Sequence, residues 1–124
     1  MSTVLIVDDC PISRRLIRAL LERQIFDILV FELTDGLEVL DYVKTFEVDV
    51  VVLDIMLLYK HGDEVLRELE EAQLGVAIVV VSGTYDSNLP FMGSANIKAV
   101  FAKPFDPIDF VNAVKSALGL LEDT

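Results

Sequence analysis

Six residues in this chain have types and positions that could do chemistry together. Asp8 and Asp9 are adjacent at the end of an apolar run, and Asp54 ends the run Val50, Val51, Val52, Leu53. Ser82 and Gly83 close a third apolar run, and Lys103 stands before Pro104 at the end of a fourth. A charge at the end of an apolar strand is costly unless it is paired. Three carboxylates against one ammonium leave an excess of negative charge. At ~4 Å and an effective dielectric of ~20, each like-charge pair costs roughly 4 kcal/mol. A hard divalent cation relieves that repulsion. Oxygen ligands without a His or Cys cluster point to Mg²⁺, with Mn²⁺ as a substitute, rather than to Zn²⁺. Magnesium held by a few carboxylates usually serves phosphoryl chemistry, in which one carboxylate can act as nucleophile and form an aspartyl-phosphate. A lysine and a hydroxyl would then neutralise the phosphoryl oxygens.

For these residues to meet, the chain must place all four run ends on one rim. Two periods alternate along the sequence. Apolar, β-rich runs occupy residues 3–7, 28–33, 48–55, 76–82 and 99–102. Between them the apolar residues follow helical spacing. One stripe is Ile12, Leu16, Ile17, Leu20 and Leu21; a second is Leu37, Leu40 and Val43; a third is Val65, Leu66 and Leu69. The last is Phe110, Val111, Val114 and Leu118. Pro11 and Pro107 suit first helical turns, and Asp106 precedes the latter as a cap. Asp35 and Glu38 have the spacing of a capping box. A helix over residues 86–95 is the weakest prediction, because Pro90 and Gly93 lower its propensity. Strands alternating with helices predict an α/β fold with a parallel sheet, in which ligands bind at the carboxyl ends of the strands. Residues 1–124 read as one domain.

Composition narrows the function classes. The 124 residues are 53% hydrophobic, which argues against disorder. Ten Lys/Arg against twenty-one Asp/Glu give a formal charge of −11, which excludes a basic nucleic-acid footprint. The longest apolar runs fall far short of the ~20 residues of a membrane helix. Cys10 is the one cysteine, so no internal disulfide forms, and a cytoplasmic, reducing location is expected.

The motifs VDD (residues 7–9), VVLD (51–54) with Gly62 eight residues on, VVSG (80–83) and AKPF (102–105) resemble the receiver domain of two-component response regulators. The order and spacing of all four agree along the whole chain. The resemblance implies a doubly wound, flavodoxin-like (βα)5 domain with strand order 2-1-3-4-5. It makes Asp54 the phosphoacceptor. Asp8, Asp9, Asp54 and the backbone carbonyl of Met56 become the metal ligands, with Asp9 favoured over Asp8 as the closer one. Ser82, Gly83 and Lys103 become the phosphoryl-binding and switch residues, and Lys103–Pro104 a cis peptide. Implied partners are a histidine kinase or histidine phosphotransfer protein and an output protein met through the 86–95 segment, the last strand and the last helix. No direct contact with nucleic acid or membrane is implied.

Two departures from the family stand out. Leu57 and Leu58, followed by Tyr59, stand where the family usually has Met-Pro in the loop after the acceptor. Val100 stands where the family usually carries an aromatic switch residue, while Phe101 beside it should face the core. Weaker or rerouted switching is therefore expected. Arg14, Arg15 and Arg18 on the first helix, with Leu58 and Tyr59 in the loop after the acceptor and Leu89 and Phe91 near the helix predicted over 86–95, are candidate surfaces for a partner or a second copy. His61 reads as a solvated loop residue. A magnesium-dependent phosphohydrolase is the rival enzyme class. It typically carries an acid two residues after its nucleophile, where this chain has Met56. A flavin-binding domain would want a phosphate cradle after the first strand, where this chain has two acids.

Overall fold

The computed structural model describes residues 1–56, 62–83 and 95–121. The elements in chain order are β1 (Ser2–Val7), α1 (Pro11–Gln24), β2 (Ile28–Leu33), α2 (Val39–Phe46), β3 (Val50–Asp54), α3 (Gly62–Glu71), β4 (Ala77–Ser82), β5 (Ile97–Ala102) and α4 (Pro107–Ala117). The five strands form one parallel sheet in the order β2-β1-β3-β4-β5.

Alternation along the strands divides the core in two. Leu5, Val7, Val51, Leu53, Ile78 and Val80 face α2 and α3, where Val39, Val43, Val65, Leu66 and Leu69 meet them. Val4, Ile6, Val50, Val52, Val79 and Val81 face α1 and α4, against Ile17, Leu21, Phe110, Val111 and Val114. Every residue of β3 and β4 is buried, as central strands covered by helices on both faces require. Each Val, Leu or Ile among them contributes ~1.5–3 kcal/mol relative to an exposed one. At the amino-terminal rim Asp49 ties three strands together. Its Oδ2 accepts from the Thr3 N–H at 2.8 Å, its own N–H donates to the Thr3 carbonyl, and its carbonyl accepts from Ala77.

Several expectations change in detail. Asp35 does not cap α2. Its Oδ1 accepts from the Leu37 N–H at 2.9 Å, a local side-chain turn that competes with helix, and α2 starts later, after Glu38. Leu37 is consequently exposed, and Val39 takes its place in the core. On α1 the buried stripe is Ile17 and Leu21, while Ile12 and Leu16 lie on an exposed flank. Strand β5 begins two residues early, at Ile97. Its register against β4 skips Lys98, an irregularity that hides the strand's alternation. Asp106 does cap α4, accepting from the N–H groups of Ile108 and Asp109. The predicted helix over 86–95 lies outside the described residues except for Ala95, as do Leu57, Leu58, Tyr59, His61, Leu89 and Phe91.

Gly62 opens α3 against the end of β3. Its N–H donates to the Ile55 carbonyl at 3.0 Å, and a Cβ there would lie 2.7 Å from Ile55 Cα. Backbone cannot yield to that contact without moving the strand end that carries Asp54. Gly62→Ala is expected to destabilise the fold by about 1–3 kcal/mol, read as a lower denaturation midpoint in urea.

Candidate functional site

The sheet order and register bring the predicted residues together. Asp8 follows β1, where its N–H continues the ladder to the Leu33 carbonyl at 3.1 Å. Asp54 ends β3 beside Val81, so Ser82 projects one residue further along β4. Ser82 pairs with Ala102, and its carbonyl accepts from the Lys103 N–H at 2.8 Å. The Lys103–Pro104 peptide is cis.

From the end of β5 the Lys103 ammonium reaches across β4. Its Nζ donates to Asp8 Oδ2 at 2.8 Å and to Asp54 Oδ2 at 3.1 Å. The remaining oxygens are also held: Asp8 Oδ1 accepts from the Cys10 N–H, and Asp54 Oδ1 from the Met56 N–H, both at 2.9 Å. Asp8, Asp54 and Ser82 are buried, whereas Asp9 is half-buried. Asp8, Asp9 and Asp54 each present a carboxylate oxygen within 4.8 Å of the others. The two adjacent aspartates thus share one hollow, although strand alternation alone would send them to opposite faces. Asp9 is the carboxylate that Lys103 does not engage.

Burial is the largest influence on all three central groups. It raises Asp54 above the ordinary carboxylate value, and the Met56 N–H and Lys103 offset it only in part. In Asp8 burial acts the same way, but Lys103, the Cys10 N–H and the Ser13 hydroxyl outweigh it and hold the carboxyl below its usual range. Burial alone would lower Lys103, yet its two carboxylate partners raise it above a normal lysine. Thus Asp8 is the fixed anion, Lys103 the fixed cation, and Asp54 the carboxylate whose charge is least favoured.

Gly83 is exposed, and a Cβ at that position would meet nothing within 4 Å of it. Val100 packs with the α2–α3 side of the core. Phe101 turns to the other side, with its ring edge-on to Phe110 at 5.8 Å, and Phe105 lies tilted against Phe110 at 4.7 Å. The aromatic ring of β5 is therefore on the face opposite Val100, as expected, where it is partly buried against the core.

The tie that Arg14 and Glu32 make to the site was not foreseen in the sequence. Arg14 Nη1 donates to the Asp8 carbonyl at 2.9 Å, and Arg14 and Arg18 both grip Glu32 of β2. Arg15 alone of the three arginines points outward as expected. Glu32 is the one charge in the strand ILVFEL, and a lone charge in an apolar strand is the signal that a partner exists. Beside Lys103 lies an apolar hollow of about 240 Å³, lined by Ile12, Leu16, Pro104, Phe105 and Pro107.

Residues 4–115 match the response regulator receiver domain family. The chain belongs to that family. It is similar to the chemotaxis protein CheY of Halobacterium salinarum, 28% identical over 93% of this chain and 95% of that protein. It is also similar to the aerobic respiration control protein ArcA of Escherichia coli K12, 31% identical over 93% of this chain and 48% of that protein. The chain thus spans about half the length of ArcA. Among solved structures, a CheY-like receiver domain from Methanospirillum hungatei superposes with a TM-score of 0.82, at 23% identity over 96% of this chain and 94% of that one. The response regulator TrrA of Thermotoga maritima, solved in complex with Mg²⁺–BeF, gives 0.82 at 25% identity over 95% of this chain and all of that one.

Receiver domains bind Mg²⁺ in an acidic pocket, and this receiver's donor set fits that ion. It consists of carboxylate oxygens on three side chains, close enough to share a cation and only partly neutralised by Lys103. No helix among the described residues is long and apolar enough to cross a membrane.

Burial of the Asp54 charge predicts a stability signature in chelator. Removing that charge relieves its desolvation and, to a lesser extent, the repulsion from Asp8, which together outweigh the loss of a charge-assisted bond to Lys103 worth ~1.5–3 kcal/mol. Asp54→Asn is therefore expected to be about 1–2 kcal/mol more stable than wild type at pH 7. Because the folded pKa of Asp54 is raised, its penalty is fully present above that pKa. The penalty disappears as pH falls through the folded pKa toward the unfolded one. Denaturation midpoints measured against pH should converge in acid.

Proposed function

We propose that Asp54 accepts a phosphoryl group from a phosphohistidine of a histidine kinase or histidine phosphotransfer protein, and that residues 1–124 act as one switch unit. The observation that carries this reading is Lys103 bridging Asp8 and Asp54. An Asp54 oxygen attacks phosphorus, the phosphorus–nitrogen bond breaks, and its electron pair stays on the departing imidazole. The Met56 N–H and Lys103 orient the attacking carboxylate, while Lys103 and Ser82 receive the charge that develops on the phosphoryl oxygens. Asp8, Asp9, Asp54 and the Met56 carbonyl would hold Mg²⁺, which supplies further charge neutralisation when bound.

The product carries roughly −2 charge on its phosphoryl group in place of the single charge of the Asp54 carboxylate, where an ammonium now sits between two carboxylates. Ser82 and Lys103 lie at the ends of neighbouring strands, so their response reaches β5 and α4 directly. We assign output to that face together with the 86–95 segment. With Val100 in place of an aromatic ring, coupling runs through the β4–β5 ends rather than through a swinging ring. Family couplings amount to only ~1–3 kcal/mol, which a different contact can supply. The apolar hollow of Ile12, Leu16 and Phe105 is the seat we assign to the phosphodonor. Activity is regulatory and cytoplasmic, with at most slow self-dephosphorylation. Met56, exposed and apolar, occupies the place where a phosphohydrolase would carry its second acid.

Incubation with acetyl phosphate and Mg²⁺ should add the mass of one phosphoryl group to the intact protein, and Asp54→Asn should abolish the gain. Rapid hydrolysis of many phosphomonoesters would instead favour an enzyme. Ile12→Asp with Leu16→Asp is expected to leave labelling by acetyl phosphate intact. The same pair should slow transfer from a phosphorylated histidine phosphotransfer protein at least ~10-fold, the scale of losing a buried apolar contact.

A further inference from the structure

Asp8 is tied to the edge strand from both sides. Its N–H donates to the carbonyl of Leu33 in β2 at 3.1 Å. Its carbonyl accepts from Arg14 Nη1 at 2.9 Å, and Arg14 Nε donates to Glu32 Oε1 at 3.2 Å. Glu32 precedes Leu33 in β2, so both anchors lie on the same stretch of strand. The second oxygen of Glu32 takes Arg18 Nη1 at 2.6 Å, and Arg18 Nε also meets Glu22 at 3.1 Å. Glu32 is thereby held between two arginines.

The carbonyl that Arg14 grips belongs to the peptide joining Asp8 to Asp9. The orientation of that peptide sets the angle between the two carboxylates. Neighbouring side chains on an extended strand point to opposite faces, yet here both carboxylates enter one hollow. Something must hold the turn that makes this happen, and the Arg14 contact is made on the peptide concerned. Charge is not the main effect, because the Arg14 guanidinium is balanced by Glu32. Geometry is: the planar fork of an arginine can bridge a carboxylate and a carbonyl at once, which the single ammonium of a lysine does poorly.

We infer that Arg14, held by Glu32, is a positioning residue that fixes the Asp8–Asp9 peptide so that both carboxylates face one divalent cation. The inference rests on the metal site of the preceding section and extends it to two residues that touch neither metal nor phosphate. Groups behind a metal's own ligands commonly change affinity 10–100-fold when removed.

Binding of Mn²⁺, followed through the paramagnetic resonance signal of the free ion, tests this without any phosphoryl transfer. Arg14→Ala is expected to weaken Mn²⁺ binding ~10–100-fold. Glu32→Ala, which reaches the brace from its far end, should weaken it in the same direction, and the double variant should bind no worse than Arg14→Ala, because the two act as one chain. Arg18→Ala is the control. It loses the same Glu32 contact but none to Asp8, so it should lower the melting temperature while keeping Mn²⁺ affinity within about threefold of wild type. Wild-type affinity in both Arg14→Ala and Glu32→Ala overturns the inference, as does an equal loss in Arg18→Ala. A wild-type protein that binds no Mn²⁺ defeats the metal-site reading itself, a different failure.

Discussion

Lys103 holds the site together by standing between two buried carboxylates. Asp8 and Asp54 end strands whose other residues are buried and apolar, and neither could stay there ionised without a cation. One ammonium cancels one charge. With Asp9 in the same hollow, the cluster keeps an excess of negative charge, and this suits it to a metal ion. The strand order serves this interaction. Placing β1, β3, β4 and β5 side by side brings a lysine that follows Asp8 by 95 residues within hydrogen-bonding distance of it.

Much of this arrangement is legible in the sequence because it follows from periodicity and from where apolar runs stop. Val50 to Leu53 announce a central strand, and Asp54 marks its end. Pro107 with Asp106 announces α4. What escapes is whatever depends on a choice between local alternatives. The side chain of Asp35 can cap a helix or close a turn, and only the tertiary path decides in favour of the turn. The apolar residues of α1 define a stripe, but not which edge of it the sheet covers, so Ile12 and Leu16 end up outside. The skipped Lys98 breaks the alternation that would have revealed the start of β5. Arg14 and Arg18 read as a surface for a partner because Glu32, which they grip, lies on another element, and helical spacing carries no information about it.

The two faces of β5 have exchanged parts relative to the common receiver pattern. Val100 lies toward α2 and α3 with a small side chain, while Phe101 is locked among Phe105 and Phe110 on the side of α1 and α4. An aromatic ring is thus present on the strand but serves as a fixed packing element. It touches two other rings at distances typical of favourable aromatic pairs, which opposes its recruitment as a moving part.

Covering both sides of β3 and β4 has a consequence for how such a chain can diversify over evolutionary time. Interior strand positions answer only to volume and shape, so drift there is confined to interchange among aliphatic residues. Heritable novelty is channelled to the carboxyl rim and to the outer helix surfaces, where a change of residue alters dialogue with other molecules and leaves the scaffold standing.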